Sequence, residues 1–184
     1  MPDLRDPMPE PASPPLALWR RVLLPLVALA VVALDQYTKV LVRRTIPLDH
    51  TVSLLPWLAP VLVLTHLDNT GAAWGLLKNS TPVLAAVAAV VIAVIAANYR
   101  RIRETSWLLQ LALGLQAGGA GGNLVDRVLR GRVTDFVDVH IWPVFNVADS
   151  SVVVGTILLA FFALFLDREA PRELPSQAAN DADS

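Results

Sequence analysis

The chain has 184 residues, contains no cysteine and has only three histidines. Without cysteine there can be no disulfide bond, no thiolate nucleophile and no cysteine-ligated metal. The histidines, His50, His66 and His140, lie far apart, and none has the spacing of a zinc motif such as H-E-x-x-H. We therefore expect no metal site and no cofactor.

Charge is also scarce over long stretches of the chain. The formal net charge is -1, and 54% of the residues are hydrophobic. The mean hydropathy of +0.52 is typical of a membrane protein. A net charge this close to zero provides no basic surface for nucleic acid, so we expect no nucleic-acid partner.

Four mostly apolar stretches approach the length of about 20 residues that a bilayer-spanning helix requires. They cover residues 20–42, 82–99, 105–126 and 149–166. An alternative for the first stretch is a cleaved signal peptide, because Arg20 and Arg21 precede an apolar run with a small-residue site. Three further spans favour an uncleaved, multi-pass protein.

The distribution of arginine and lysine indicates an orientation. Eight basic residues fall on the side that holds both chain ends, against five on the other side when the helix-embedded Lys39 and Arg127 are set aside. The positive-inside rule then places both termini in the cytoplasm and the connectors 43–80 and 127–148 outside. The ends, residues 1–17 and 169–184, are expected to be disordered, which leaves 18–168 as the folded domain.

The two outer connectors contain strand patterns. The first has an apolar run from Val61, a turn signal at Asp68–Gly71 and then a small, aromatic segment suited to a short interfacial helix. The second alternates in polarity from Val133 to His140. The predicted fold is thus an all-α membrane protein with four transmembrane helices, a small outer β-sheet and a short interfacial helix. Such a sheet would bring Asn69 towards Asp135.

Asp135 and Asp149 flank the last connector. Carboxylates beside a bilayer are costly and therefore indicate function. Two of them can hydrolyse an amide without a metal if one is ionised and takes a proton from water while the other is protonated and polarises the carbonyl. Asp149 precedes the fourth span, where a helix N-terminus favours the anion, and Asp135 lies beside the apolar Phe136. We therefore predict Asp149 as the base and Asp135 as the acid.

Structural interpretations of the same residues remain open at this point. Asp149 alone suits a helix N-cap assisted by Ser150, and Asp135 alone suits pairing with Arg132. Asp35 and Lys39 are best interpreted as an intrahelical ion pair. In the third span, small residues recur every four positions and predict a helix-packing seam. These residues are Gly114, Gly118 and Gly122.

Five motifs in sequence resemble those of bacterial lipoprotein signal peptidase, also called signal peptidase II, and the match covers roughly residues 18–168. They are Asp35-Gln36-x-x-Lys39, Asn69-Thr70-Gly71-Ala72-Ala73-Trp74-Gly75, Gly122-Asn123-x-x-Asp126-Arg127, Val133-x-Asp135-Phe136 and Phe145-Asn146-Val147-Ala148-Asp149-Ser150. The resemblance implies an aspartic peptidase of the bacterial inner membrane, with its site near the outer face. It also implies cleavage of a diacylglyceryl-modified prolipoprotein before the lipidated cysteine, and inhibition by globomycin.

The resemblance also implies roles for individual residues. Asp135 and Asp149 match the family's catalytic pair, and Asp35 and Lys39 match a structural polar pair. Further positions match substrate-binding residues, namely Asn69, Gly71, Asn123, Arg127 and Asn146. The connector between the two aspartates is shorter than is usual in the family. Membrane lipid is an expected partner, and the expected oligomeric state is a monomer.

Two other classes of function are kept as alternatives. A proton-coupled transporter or channel would use Asp35, Lys39 and Asp135 as a relay, but the second and fourth spans are almost wholly apolar. A non-enzymatic assembly factor for lipoproteins would tolerate replacement of both Asp135 and Asp149. Serine and cysteine peptidases are excluded because the chain has no cysteine and no Gly-x-Ser-x-Gly elbow.

Overall fold

The structure is a computed structural model that describes residues 18–71 and 80–166. The predicted disordered ends and the predicted interfacial helix after Gly71 lie outside the described residues. Within them, helices occupy the four apolar stretches of the sequence.

The helices are arranged around one central member. Helix α1 spans Leu18–Thr45, α2 spans Thr81–Ala97, and a short α3 spans Tyr99–Ile102. The central helix, α4, spans Trp107–Arg130, and α5 spans Val147–Phe161 and continues as a π-helical turn, Phe162–Leu166. Helix α4 contacts α1, α2 and α5.

Two helical segments, Trp19–Thr45 and Val147–Leu166, are long and apolar enough to cross a membrane. The segment Thr81–Ala97 is apolar but shorter. The outer surface of the helices carries large apolar side chains, such as Leu29 at 68% exposure, whereas Asp35 and Lys39 are fully buried. This distribution suits a surface that faces hydrocarbon, because ionisable groups inside a membrane protein point towards the interior.

Glycine allows α1 and α4 to approach closely. A Cβ atom at Gly118 would lie 2.6 Å from the Cβ of Val31, and one at Gly122 would lie 2.5 Å from Oδ2 of Asp35. Neither distance is sterically possible, so these two positions require glycine as long as the helices keep this spacing. The glycines predicted to form a packing seam therefore face α1.

A three-stranded antiparallel sheet lies at the end of the bundle where α1 and α4 finish and α5 begins. Its order is β1 (Thr51–Val52), β2 (Val63–Asn69) and β3 (Val133–Asp138). The register pairs Leu67 with Asp135 and Asn69 with Val133. Phe136 of β3 packs with Val42 and Ile46 of α1 and so attaches the sheet to the bundle. The predicted small sheet is thus present.

Candidate active site

Strand β3 places Asp135 in a nearly closed environment. The residue is 3% exposed, and each carboxylate oxygen accepts a hydrogen bond from an asparagine amide. Nδ2 of Asn146 lies 2.7 Å from Oδ1, and Nδ2 of Asn69 lies 2.8 Å from Oδ2. Arg132, the pairing partner considered from sequence, instead forms an ion pair with Asp68 at 3.1 Å. The neighbours of Asp135 are therefore neutral donors rather than a cation.

The first turn of α5 positions Asp149. The N-cap of this helix is Asn146, not Asp149, so the N-cap interpretation of Asp149 is wrong. Asp149 occupies the third helical position, where its Oδ2 accepts from the backbone N–H of Asn146 at 3.2 Å. In return, Oδ1 of Asn146 accepts from the backbone N–H of Asp149 at 3.0 Å. This capping box holds the carboxylate at the positive end of the helix.

Asn146 connects the two aspartates, because its side chain contacts Asp135 while its backbone contacts Asp149. Both carboxylates line one cavity of about 270 Å³. The predicted substrate-binding residues Asn69, Gly71, Asn123 and Arg127 line the same cavity, and its remaining wall includes Trp142, Pro143, Val144, Phe145, Val152 and Val153. The cavity is therefore apolar on one side and carries carboxylates and amides on the other.

The connector between the aspartates is compact. Phe145 folds back along β3, where its carbonyl accepts from the N–H groups of Phe136 at 3.0 Å and Val137 at 2.7 Å. His140 adopts a positive φ of 63° in this turn. The connector therefore returns directly from β3 to the start of α5.

The orientation of each asparagine amide follows from a donor that only its oxygen can accept. Oδ1 of Asn69 accepts from the backbone N–H of Gly71 at 2.8 Å, which directs Nδ2 to Asp135. Oδ1 of Asn123 accepts from the ammonium group of Lys39 at 2.9 Å, which directs its Nδ2 to Asp149 at 2.8 Å. The amides are thus arranged to donate to the two carboxylates, as ionised or half-ionised acids require.

Burial and charge distinguish the two aspartates. Burial, with a smaller contribution from the negative charge of Asp149, raises the pKa of Asp135 to about 7 even though hydrogen bonds from Asn69 and Asn146 oppose the shift. Asp149 is only half-buried. Near neutral pH the arrangement therefore favours a proton on Asp135, as expected for two nearby carboxylates of unequal solvation.

Arg127 extends from α4 towards the same cavity. Its guanidinium lies 3.5 Å from the carbonyl oxygens of Gly71 and Asn123, at the limit of a hydrogen bond. It therefore has donor capacity left for a ligand in the cavity. The buried backbone of Gly71 forms the opposite edge.

Lys39 is the centre of a buried charge cluster behind the cavity. Its ammonium group lies 2.8 Å from Asp35, 3.1 Å from Asp126 and 2.9 Å from Oδ1 of Asn123. These three acceptors use the three protons of the ammonium group. Arg43 lies 3.6 Å from Asp126. The cluster therefore contains two cations, Lys39 and Arg43, and two carboxylates, Asp35 and Asp126.

The cluster also holds the backbone next to each aspartate of the cavity. Asp35 accepts from the N–H of Ala148, which precedes Asp149, at 3.0 Å. Asp126 accepts from the N–H of Thr134, which precedes Asp135, at 3.2 Å. Asp126 lies three residues after Asn123 on α4, so both side chains are on the same face of the helix. Lys39 thus joins the two segments that carry Asp135 and Asp149.

Among residues 18–71 and 80–166, no three His, Asp or Glu side chains converge in a metal-binding group. The polar groups that face the cavity are carboxylates, amides and one guanidinium. The chemistry available from these described side chains is proton transfer and hydrogen bonding to a carbonyl group.

The family model described as signal peptidase (SPase) II matches residues 27–165. The chain belongs to this family. The resemblance carried by the five motifs is therefore confirmed, and the protein is a peptidase, not a transporter or an assembly factor. Asp135, Asp149 and every other cavity residue named above fall within the matched range.

Individual relatives agree with this assignment. The lipoprotein signal peptidase of Moorella thermoacetica is 43% identical over 148 residues, which are 80% of this chain and 97% of the relative. The lipoprotein signal peptidase of Geobacillus thermodenitrificans is 42% identical over 151 residues, covering 80% of this chain and 92% of the relative.

Solved structures show the same fold. Two bacterial membrane enzyme structures obtained by the in meso method are each 32% identical to the peptidase. One has a TM-score of 0.70 and covers 82% of this chain and 92% of its own. The other has a TM-score of 0.67 and covers 77% of this chain and 92% of its own. The peptidase therefore shares its architecture with membrane enzymes.

Proposed function

We propose that this peptidase removes the signal peptide from diacylglyceryl-modified prolipoproteins and cleaves just before the lipidated cysteine. The curated relatives are named lipoprotein signal peptidases, and the chain spans nearly their whole length. The observation that supports the catalytic assignment most directly is that Asp135 and Asp149 line one cavity and are connected through Asn146.

In this mechanism Asp149 is the general base and Asp135 the general acid. Ionised Asp149 takes a proton from a water molecule, whose oxygen attacks the scissile carbonyl carbon. Protonated Asp135 hydrogen-bonds to the carbonyl oxygen and stabilises the developing negative charge. Collapse of the tetrahedral intermediate breaks the C–N bond, and the proton held by Asp149 passes to the leaving amine. The raised pKa of Asp135 and the helix N-terminus at Asp149 support this division of roles.

The other polar residues of the site position either the substrate or the two carboxylates. Arg127 donates to a peptide carbonyl or to the lipid ester, which the spare donor capacity of its guanidinium supports. Asn69, Asn123 and Asn146 orient the carboxylates, and Gly71 allows the substrate backbone to approach. Asp35 and Lys39 act as a structural pair behind the site and do not contact the substrate.

The proposed topology has four spans in the bacterial inner membrane. Residues 18–168 form the peptidase domain, and the flanking segments 1–17 and 169–184 lie in the cytoplasm. Helices α1 and α5 have the length and hydropathy of spans, α4 packs against both of them, and α2 packs against α4. The sheet and the cavity then lie at the outer face. The proposed active form is a monomer without a cofactor, and a globomycin-type cyclic peptide is expected to inhibit it by occupying the cavity.

An in vitro cleavage assay on a diacylglyceryl-modified precursor tests the proposal. We expect Asp135→Asn and Asp149→Asn each to abolish cleavage, because neither amide can transfer the required proton, while both variants still insert into the membrane. Asp138→Asn is the matched control, since Asp138 lies on the same strand but outside the cavity and contacts Thr65 and His140. This control should keep its activity.

Two results would contradict the proposal. Full cleavage by correctly folded Asp135→Asn or Asp149→Asn would rule out the two-aspartate mechanism. Equally efficient cleavage of the unlipidated and the lipidated precursor by the parent protein would rule out a requirement for the diacylglyceryl group. Cleavage of the lipidated precursor in the presence of a globomycin-type peptide tests the inhibitor separately.

A further inference from the structure

An apolar groove lies at the end of the bundle opposite the aspartates. It has a volume of about 450 Å³ and runs between α1, the C-terminal part of α2 and the middle of α4. Its walls include small side chains that leave room for a ligand. These are Pro25, Ala28, Ala96 and Ala117.

At the mouth of the groove, a side-chain hydrogen bond replaces one that is missing from the backbone of α1. Pro25 lies inside this helix and has no N–H to donate to the carbonyl of Arg21, four residues earlier. The hydroxyl of Tyr99, which follows α2, donates to that carbonyl instead. The bond ties α1 to the segment after α2, and Tyr99 itself lines the groove.

Arginines lie next to the groove residues in the sequence at this mouth. Arg21 lies three and four residues before the groove residues Leu24 and Pro25, so it continues the same face of α1. Arg100 follows Tyr99 directly and lies four residues after Ala96. In the described part of this end, residues 18–34 and 92–116, the arginines are Arg20, Arg21, Arg100, Arg101 and Arg103, and the acid is Glu104.

The groove and its mouth therefore require a ligand of two different parts. Inside, the walls are aliphatic apart from the ring of Tyr99, whose hydroxyl is already bonded to Arg21. At the mouth, the exposed guanidinium groups of Arg21 and Arg100 attract an anion. We propose that the groove binds an acyl chain of an anionic phospholipid whose headgroup contacts Arg21 and Arg100.

Charge argues against a signal peptide as the ligand of this groove. A signal peptide begins with a positively charged segment followed by its apolar core. Placing that segment at the arginine-lined mouth would bring like charges together. Basic pockets between transmembrane helices on the cytoplasmic side instead suit anionic headgroups. The inference rests on the proposed topology, in which this end of the bundle faces the cytoplasm, but not on the roles of Asp135 and Asp149.

Lipid retention by the intact purified protein tests the proposal. The probes are phosphatidylglycerol and phosphatidylcholine offered in equal amounts in mixed micelles, with bound lipid measured by native mass spectrometry and by titration. We expect the parent protein to retain phosphatidylglycerol in preference. The double change Arg21→Gln with Arg100→Gln should weaken its binding by about 25-fold, since each arginine near a membrane surface contributes a factor of about five.

Two matched controls separate the groove from general electrostatics. Ala96→Phe fills the groove and should abolish retention, whereas Ala97→Phe changes the adjacent exposed residue, which does not line the groove, and should not. Arg44→Gln removes an exposed arginine at the other end of α1 and should leave binding unchanged. All variants are compared with the parent by thermal unfolding.

Several outcomes would overturn the inference. Equal retention of the two lipids would show that the headgroup is not recognised. Equal loss in Arg44→Gln or in Ala97→Phe would show that the effect is not local to the groove. Displacement of phosphatidylglycerol by a precursor in an inactive Asp135→Asn background would show that the groove belongs to the substrate, and its persistence would support a separate lipid site.

Discussion

Removing the ammonium group of Lys39 tests whether the buried charge cluster sustains the site. The change Lys39→Met keeps the length of the side chain but leaves Asp35 and Asp126 with only Arg43 as a cation. Arg43 is 3.6 Å from Asp126, and Asp35 is fully buried. Breaking a buried ion pair by removing one partner costs about 3–5 kcal/mol. We expect the unfolding free energy to fall by that amount.

The double variant provides the decisive comparison. Asp35→Asn alone leaves excess positive charge and should cost a similar amount, while its Oδ1 still accepts from the N–H of Ala148. In Asp35→Asn with Lys39→Met, the remaining ions Asp126 and Arg43 balance each other. The double variant should therefore be much less destabilised than the sum of the single variants, with a coupling energy of about 2–3 kcal/mol.

The assay is equilibrium unfolding of the purified protein in detergent, with cleavage of the lipidated precursor measured in parallel. Single-variant losses that add within about 0.5 kcal/mol would refute the reasoning, because independent sites are additive at that level. So would an unchanged stability of Lys39→Met. Because Lys39 directs the amide of Asn123 towards Asp149, cleavage should also fall in Lys39→Met at temperatures where the variant remains folded.

Three further predictions concern the cavity and the α1–α4 contact. The pKa of Asp135 is raised to about 7, so its proton and the stability that protonation contributes are present at acidic pH and lost as pH rises through 7. The value of kcat/KM should fall over the same pH range. Asn69→Ala removes a hydrogen bond that lowers this pKa and should therefore move the fall in kcat/KM to higher pH. Arg127→Ala should reduce kcat/KM by about 10- to 100-fold with little change in the unfolding midpoint. Equal turnover by Arg127→Ala and the parent protein would contradict the proposed contact between Arg127 and the substrate. Gly122→Ala should destabilise by about 1–3 kcal/mol because the new Cβ would lie 2.5 Å from the buried Asp35 carboxylate. At Gly121 the nearest atom is a methyl group of Val32 at 3.1 Å, so Gly121→Ala should cost less, and equal melting of the two variants would contradict the close contact at Gly122.

Patterns with a local physical basis could be recognised from the sequence. Apolar runs about 20 residues long predict helices whatever surrounds them, because the bilayer requires the backbone bonds to be satisfied within each segment. Alternation in Val133–Asp138 predicted a strand, and glycine every four residues predicted a close helix contact, which the structure places against α1. The order of the motifs pointed to the family.

Other features depend on contacts between residues far apart in the chain. The strand patterns predicted that Asn69 and Asp135, 66 residues apart, would approach each other, but the hydrogen bond between them depends on the register of β2 against β3 and its bulge. The orientation of Asn123 depends on Lys39, which is 84 residues away on another helix.

The burial of Asp126 likewise depends on tertiary contacts. A lone carboxylate before an arginine suits a solvated helix end, and only packing buries it against Lys39 and the N–H of Thr134. The sequence by itself therefore determined which groups are present and on which elements they lie. The tertiary structure decided how they are oriented, because hydrogen bonds and ion pairs act over a few ångströms and those distances are set by packing between elements.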